Sequence, residues 1–150
     1  MSTLHVRAGE GRHHRMIDGD HIAKAVVRDA GGSFEVFEVV APAGPMAPPH
    51  VSPWSGVLFL LKGRITAVVD GASHDVEPGG LLVVPAGTAM TFAVVGGSAR
   101  LLAITSGDGA GRFFADFAGS VPVDRPIEDV AEAIRSVTAR HGIALAGAGG

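Results

Sequence analysis

His50 and Ser52 stand two residues apart in Pro48-Pro49-His50-Val51-Ser52-Pro53-Trp54, and by type and spacing they are the pair best suited to work on one bound molecule. An imidazole exchanges protons near neutral pH, and a hydroxyl on the same face can donate to or accept from a ligand. A nucleophilic serine is the weaker reading, because no third member or oxyanion hole accompanies the pair. Two carboxyl groups are further candidates, in Phe34-Glu35-Val36-Phe37-Glu38-Val39-Val40. On a strand, Glu35 shares a face with Phe37 and Val39, and Glu38 shares the other with Phe34, Val36 and Val40. Whichever face is inward carries one glutamate, which could pair with His50 or serve as an acid of raised pKa. The competing reading puts it on the outer face or at a strand end in water.

Six other histidines are present: His5, His13, His14, His21, His74 and His141. Histidines are commonly surface residues, and His13 and His14, adjacent in a polar leader, are expected to be solvated. His21 alone is placed to reach an interior, through an N-terminal strand. Cysteine is absent, so neither a disulfide framework nor a thiolate metal site is available.

The elements that must position these groups are mostly strands. The 22 glycines and 9 prolines punctuate short apolar runs, the pattern of many strands joined by tight turns. Strands are expected at His21 to Val27, Ser33 to Val40, Gly56 to Lys62 and Arg64 to Val69, with a turn at Gly63 between the last two. Others follow at Ser73 to Val76, Leu81 to Val84, Met90 to Val95 and Ala99 to Thr105, separated at Gly79-Gly80, Pro85-Ala86-Gly87 and Gly96-Gly97. Asp70-Gly71 is the clearest hairpin signal, since that pair tolerates positive φ. The tail differs. Ile127, Val130, Ala131, Ile134 and Val137 repeat at helical spacing, with Asp124 as a cap, Pro126 in the first turn and Gly142 as a stop. The closing stretch 146–150 is expected to fray.

The gap from Gly44 to Gly87 resembles the cupins, whose first motif runs glycine, His-x-His, glutamate, glycine, and whose second runs glycine, Pro-x-Gly, histidine, asparagine. Gly44, His50 and Gly63 fall at the spacing of the first motif, and Gly79, Pro85 and Gly87 at that of the second. The tail, ending in Arg140-His141-Gly142-Ile143, is similar to that of single-domain, quercetin-dioxygenase-like cupins. The resemblance implies an all-β fold, the cupin double-stranded β-helix or jelly-roll barrel, with a C-terminal α-helix. It implies one domain over residues 1–150, with a barrel at about 21–108 and a helix at about 125–141.

The resemblance also implies a metal held by three histidines and a glutamate, and here the residues depart from it. Ser52 stands for the second histidine, Gly56 for the glutamate, Met90 for the third histidine and Val94 for the asparagine. One imidazole with a hydroxyl and a thioether is a poor donor set for Mn, Fe, Ni or Zn, so no metal or other cofactor is expected. Strand parity then lines the interior with Ser52, Leu58, Leu60, Met90, Phe92 and Val94, with Met46 and Trp54 near the mouth. Such a pocket suits a small hydrophobic organic ligand.

The composition is 47% hydrophobic and 18% charged, which argues against disorder. A net charge of −3 without a basic cluster argues against nucleic acid and anionic membrane as partners. The longest apolar run, Val57 to Leu61, is too short to span a bilayer, and the N-terminus lacks a secretory core, so a cytoplasmic protein is expected. Val57, Phe59 and Leu61 make the outer face of their strand as apolar as the inner one. That face calls for cover by the tail helix or by a second subunit, and a homodimer is expected. The functional expectation is a metal-independent cyclase, isomerase or lyase with His50 as acid/base and Glu35 or Glu38 assisting. A non-catalytic binding protein and a metal-dependent quercetinase-like dioxygenase with an unusual site are the alternatives.

Overall fold

The computed structural model describes residues 3–145, so the closing stretch 146–150 lies outside the described residues. Nine strands form one curled antiparallel sheet: β1 (Arg12–Met16), β2 (Gly19–Asp29), β3 (Gly32–Pro42), β4 (His50–Val51), β5 (Gly56–Val69), β6 (Ala72–Val76), β7 (Leu81–Val84), β8 (Ala89–Ser106) and β9 (Ala144–Leu145). Two helices, α1 (Gly109–Ser120) and α2 (Ile127–Arg140), follow β8. The path runs β1-β2-β3-β8-β4-β9, and β5 pairs with β6, β7 and β8. No described helix is long and apolar enough to cross a membrane.

Alternation along these strands builds the concave face in rows, because directly paired residues of antiparallel strands share a face. One row runs His14, His21, Val39, Leu101 and Leu60 across five strands. A second runs Phe37, Ala103 and Leu58, and a third Glu35, Thr105 and Gly56. Phe37, Leu60, Ile65 and Leu101 are almost completely buried and centre the core.

Long strands replace four of the expected short ones. β5 continues through Gly63, where the register against β8 shifts on both sides of Lys62. Gly63 has φ +86°, and a Cβ there would meet the backbone of Ser98 and Ala99, so the glycine serves a bulge and a close strand approach rather than a turn. β8 likewise runs through Gly96-Gly97 without a break. At Asp70-Gly71 the hairpin forms as expected, with φ of 51° and 79°, the double positive φ of a type I′ turn. The polar leader is corrected too. Its Arg12–Met16 segment is β1, and His14 within it is buried rather than solvated.

Helix α1 was not expected, since Gly-Ala-Gly-Arg-Phe-Phe opens with two poor helix formers. Its first residues are held from outside. The Gly111 amide donates to Glu35 Oε1 at 3.1 Å, which satisfies one of the donors that every helix start leaves open. The Glu35 carboxylate occupies the space that a Cβ on residue 111 would need. Phe113 and Phe117 then turn inward, and the half-buried Phe114 packs edge-on to Phe37 at 4.9 Å.

Helix α2 starts at Ile127 with Pro126 as its N-cap residue, two positions later than an Asp124 cap would give. It stops at Gly142, whose φ is +70°. Val130 and Val137 pack with Phe113, Phe117, Val121 and Ile143 into a second core that closes the open side of the sheet. The helix pair is stapled by Asp116, which accepts from Arg140 Nε at 3.1 Å and bonds His141 Nε2 at 2.8 Å. Neither helix pairs with the outer face of β5 and β7, where Leu61, Leu81 and Val83 stay exposed. The tail helix is thus not the cover of that face.

Two stability outcomes follow. Glu35→Ala is expected to cost about 1–3 kcal/mol, the range for a lost bond to a charged group with an unmet donor left behind, and Gly111→Ala is expected to destabilise by crowding the same carboxylate. In urea titrations followed by circular dichroism, the double variant should lose less than the sum, because both act on one contact. The hydrogen bonds from Arg140 and His141 hold the Asp116 carboxyl well below its usual value of 3.8. A depressed folded-state pKa contributes stability above the unfolded value and loses it as pH falls below that value. The melting temperature of the native protein should therefore drop further than that of Asp116→Asn when pH is lowered through 3.8.

Candidate functional site

The helices cover the concave face incompletely and leave a cavity of about 370 Å³ between it, α1 and α2. The walls are largely apolar: Val39, Leu58, Phe92, Leu101, Phe113, Phe114, Phe117 and Ile143, with Trp54 and Met90. His50 reaches this space from β4, whose two residues pair with Met90 and Ala89 of β8 on one side and with β9 on the other. The segment around it is tied down. Thr91 Oγ1 donates to the Ala47 carbonyl at 2.7 Å, and the Gly87 amide donates to the Ser52 carbonyl at 3.0 Å.

The cavity holds a polar group that sequence reasoning did not assemble. Asp18 sits in the turn between β1 and β2, and its Oδ1 lies 3.0 Å from Nε2 of His21. His21 is 7% exposed, faces inward from β2 and stacks edge-on against Phe114 at 4.3 Å. Its Nδ1 is buried without a partner among the described residues. His21 was the one histidine placed to look inward. What the sequence did not reveal is that the leader folds back as β1 and presents Asp18 to His21.

Electrostatics couple these groups to His50. Burial holds the His50 imidazole below the ordinary histidine value of 6.5; attraction to Asp18 pulls it up and repulsion from His21 pushes it down, and the sum is a net lowering. Burial pushes the Asp18 carboxyl up, but attraction to His21, the hydrogen bond from it and attraction to His50 outweigh that, so Asp18 is held below its ordinary value. At neutral pH the site thus combines a neutral His50 with an ionised Asp18.

The other expected site residues divide clearly. Ser52, Trp54, Leu58, Met90 and Phe92 line the cavity with His50. Leu60 does face inward but is only 1% exposed and belongs to the packed core beneath. Met46 is 39% exposed on the preceding loop and is not among the lining residues. Neither glutamate reaches His50. Glu35 is on the inward face, yet at the strand end where α1 begins, and its carboxylate is committed to the Gly111 amide. Glu38 faces outward and accepts from Arg100 Nη2 at 2.6 Å. The roles expected of both are therefore corrected to structural ones.

The positions that carry a metal in the resembled family, His50, Ser52, Gly56 and Met90, do come together on one cavity. Their donors do not fit a divalent 3d ion, which takes several imidazoles and carboxylates at once. Among the described residues no three His, Cys, Asp or Glu side chains converge to hold one.

Residues 36–105 match the cupin domain family. No curated protein matches the sequence. Among solved structures, the chain is similar to KdgF from Halomonas sp. at 13% identity, covering 74% of this chain and 99% of that one, with a TM-score of 0.64. It is similar to the polyketide cyclase RemF from Streptomyces resistomycificus at 19% identity, covering 71% and 81%, with a TM-score of 0.61. It is also similar to a Streptomyces PAC13 variant with uridine at 16% identity, covering 71% and 83%, with a TM-score of 0.58. At these identities the likeness concerns the fold. A curled antiparallel sheet with inward-facing motif positions, matched over 36–105 by that family, gives this chain the cupin fold.

Proposed function

We propose that this cupin is a metal-independent enzyme of the cyclase, isomerase or lyase type acting on a small hydrophobic molecule. The observation that carries the reading is the placement of His50 and the hydrogen-bonded Asp18–His21 pair in one largely apolar cavity. A buried imidazole and a second imidazole fixed by a carboxylate are two groups that can each exchange a proton with one bound substrate. His50, neutral at pH 7, takes a proton from a carbon made acidic by a neighbouring carbonyl. His21, oriented by Asp18, is the group that returns a proton; His50 is then left protonated and His21 deprotonated, and proton exchange with solvent resets both before the next turnover. The apolar walls hold the substrate in a reactive shape, and positioning of that kind contributes on the order of 7–11 kcal/mol in favourable cases. The resemblance in fold to a polyketide cyclase is compatible with this class of chemistry.

The test needs no knowledge of the natural substrate. 2-Tetralone, an apolar bicyclic ketone with acidic carbon-bound protons, is incubated in heavy water with the protein, and loss of its α-proton signals is followed by NMR. Exchange above the buffer rate is expected, and His50→Gln should lower the enzymatic part about 10²–10⁴-fold. Binding of the ketone without exchange would leave a binding protein. Stoichiometric Fe, Mn, Ni or Zn in protein purified without chelator would overturn the metal-independent reading.

A second outcome concerns His50 itself. Its imidazole protons should titrate below 6.5 by NMR. Asp18→Asn removes an attraction that favours the imidazolium, so it should move that titration further down. The rate of exchange should rise with pH through the His50 titration, since the neutral form is the base.

A further inference from the structure

We infer that the cavity takes an apolar acid, a molecule whose hydrophobic body fills the interior while an anionic group rests on Arg135 at the rim. The inference builds on the reading of the cavity as a small-molecule site. Five residues of α2 line the cavity: Ile127, Ala131, Ile134, Arg135 and Thr138. At 3.6 residues per turn they fall on one side of the helix, with Arg135 at the edge of the stripe. Its side chain is exposed, whereas Thr138 is buried and Ala131 and Ile134 are partly buried. The guanidinium thus stands where the apolar lining meets solvent.

Among the described residues no carboxylate ion-pairs with Arg135, including Glu132 one turn before it. Arg28, Arg64, Arg100, Arg112 and Arg140 each have an acidic partner. The one carboxylate lining the cavity, Asp18, is engaged by His21. Arg135 is also the one arginine lining this cavity. A fork of donors at the mouth of a greasy pocket selects a carboxylate, sulfonate or phosphate on an apolar body, since it binds such groups bidentately and stays hydrated without them. A neutral ligand of the same shape gains the apolar contacts but not this one.

The test uses two probes of one shape, 4-phenylbutyrate and 4-phenyl-1-butanol, and reads the fluorescence of Trp54, the only tryptophan of the chain, which lines the same cavity. The acid is expected to bind about three- to tenfold more tightly than the alcohol, as one partly exposed charge-assisted contact gives. Arg135→Gln should erase the difference while leaving alcohol binding unchanged, Arg135→Lys should keep part of it, and added salt should narrow it. Equal affinities in the native protein, or an acid preference that survives Arg135→Gln, would overturn the inference and leave the catalytic reading of His50 standing. Failure of both probes to bind would sink the cavity as a ligand site along with it. An acid preference without ketone exchange would retain the ligand class and remove the enzyme.

Discussion

The broad apolar concave face of a curled sheet is costly to leave open to water, and the way it is covered governs the rest of this molecule. Curling brings β1, β2, β3, β8 and β5 around one interior, but β4 and β9 are two residues each and close little of it. The cover comes from α1 and α2, which carry Phe113, Phe117, Val130 and Val137 into a second core. Aromatic rings are large and rigid, so they span the opening without filling it. The cavity of about 370 Å³ is what remains between a floor of aliphatic rows and a roof of rings. Its shape is therefore fixed by α1, and α1 in turn is seeded by Glu35 reaching up from the floor.

An apolar enclosure sets terms for any polar group inside it. A buried ionisable side chain either finds a partner or gives up its charge. Both outcomes occur within one cavity. Asp18 keeps its charge because His21 lies 3.0 Å away; His50, with no hydrogen-bond partner among the described side chains, is pushed toward the neutral form. Two imidazoles of the same intrinsic chemistry are thereby set in different surroundings, one bonded to a carboxylate and the other without a hydrogen-bond partner among the described side chains. The Asp18–His21 pair depends on the β1–β2 hairpin alone, so the element that seemed least structured in the sequence is the one that completes the site.

What was legible in the sequence were patterns local in the chain. The period-2 strands, the Asp70-Gly71 turn and the stripe of α2 each depend on neighbours a few residues apart, and each formed. The motif positions also read correctly as inward, because parity is fixed once one residue is placed. The larger failures involve partners distant in sequence. Parity left open whether Glu35 or Glu38 faces inward; it is Glu35, and its partner is the Gly111 amide, 76 residues later. α1 has weak intrinsic propensity and is held by that contact, so no window of its own sequence announces it. Gly63 and Gly96-Gly97 were read as turns since glycine favours them, whereas at Gly63 a crossing backbone from Ser98 and Ala99 demanded the glycine. His14, expected to be solvated, is buried through local pairing with His21 across the β1–β2 hairpin.

Gly56 shows how the donor-poor site and the cavity belong together. It lies on β5 between β7 and β8, and its backbone does not require a glycine: a Cβ there would meet the Ile104 carbonyl oxygen at 3.7 Å and a Thr105 methyl at 4.0 Å, ordinary contacts. The position could carry a side chain, and in the motif that the chain resembles it carries a carboxylate. A glutamate there would project into the same space, add a charge that the apolar walls do not welcome and raise the His50 pKa by its proximity. Leaving the position bare gives the cavity one carboxylate fewer than the resembled motif has, and burial then dominates the His50 environment. Met90, paired directly with His50, acts in the same direction, because a thioether fills space where an imidazole would compete for protons. The positions that depart from the resembled motif thus leave His50 as the one imidazole among them, and the Asp18–His21 pair, presented by the β1–β2 hairpin, brings a second imidazole to the same cavity from another strand.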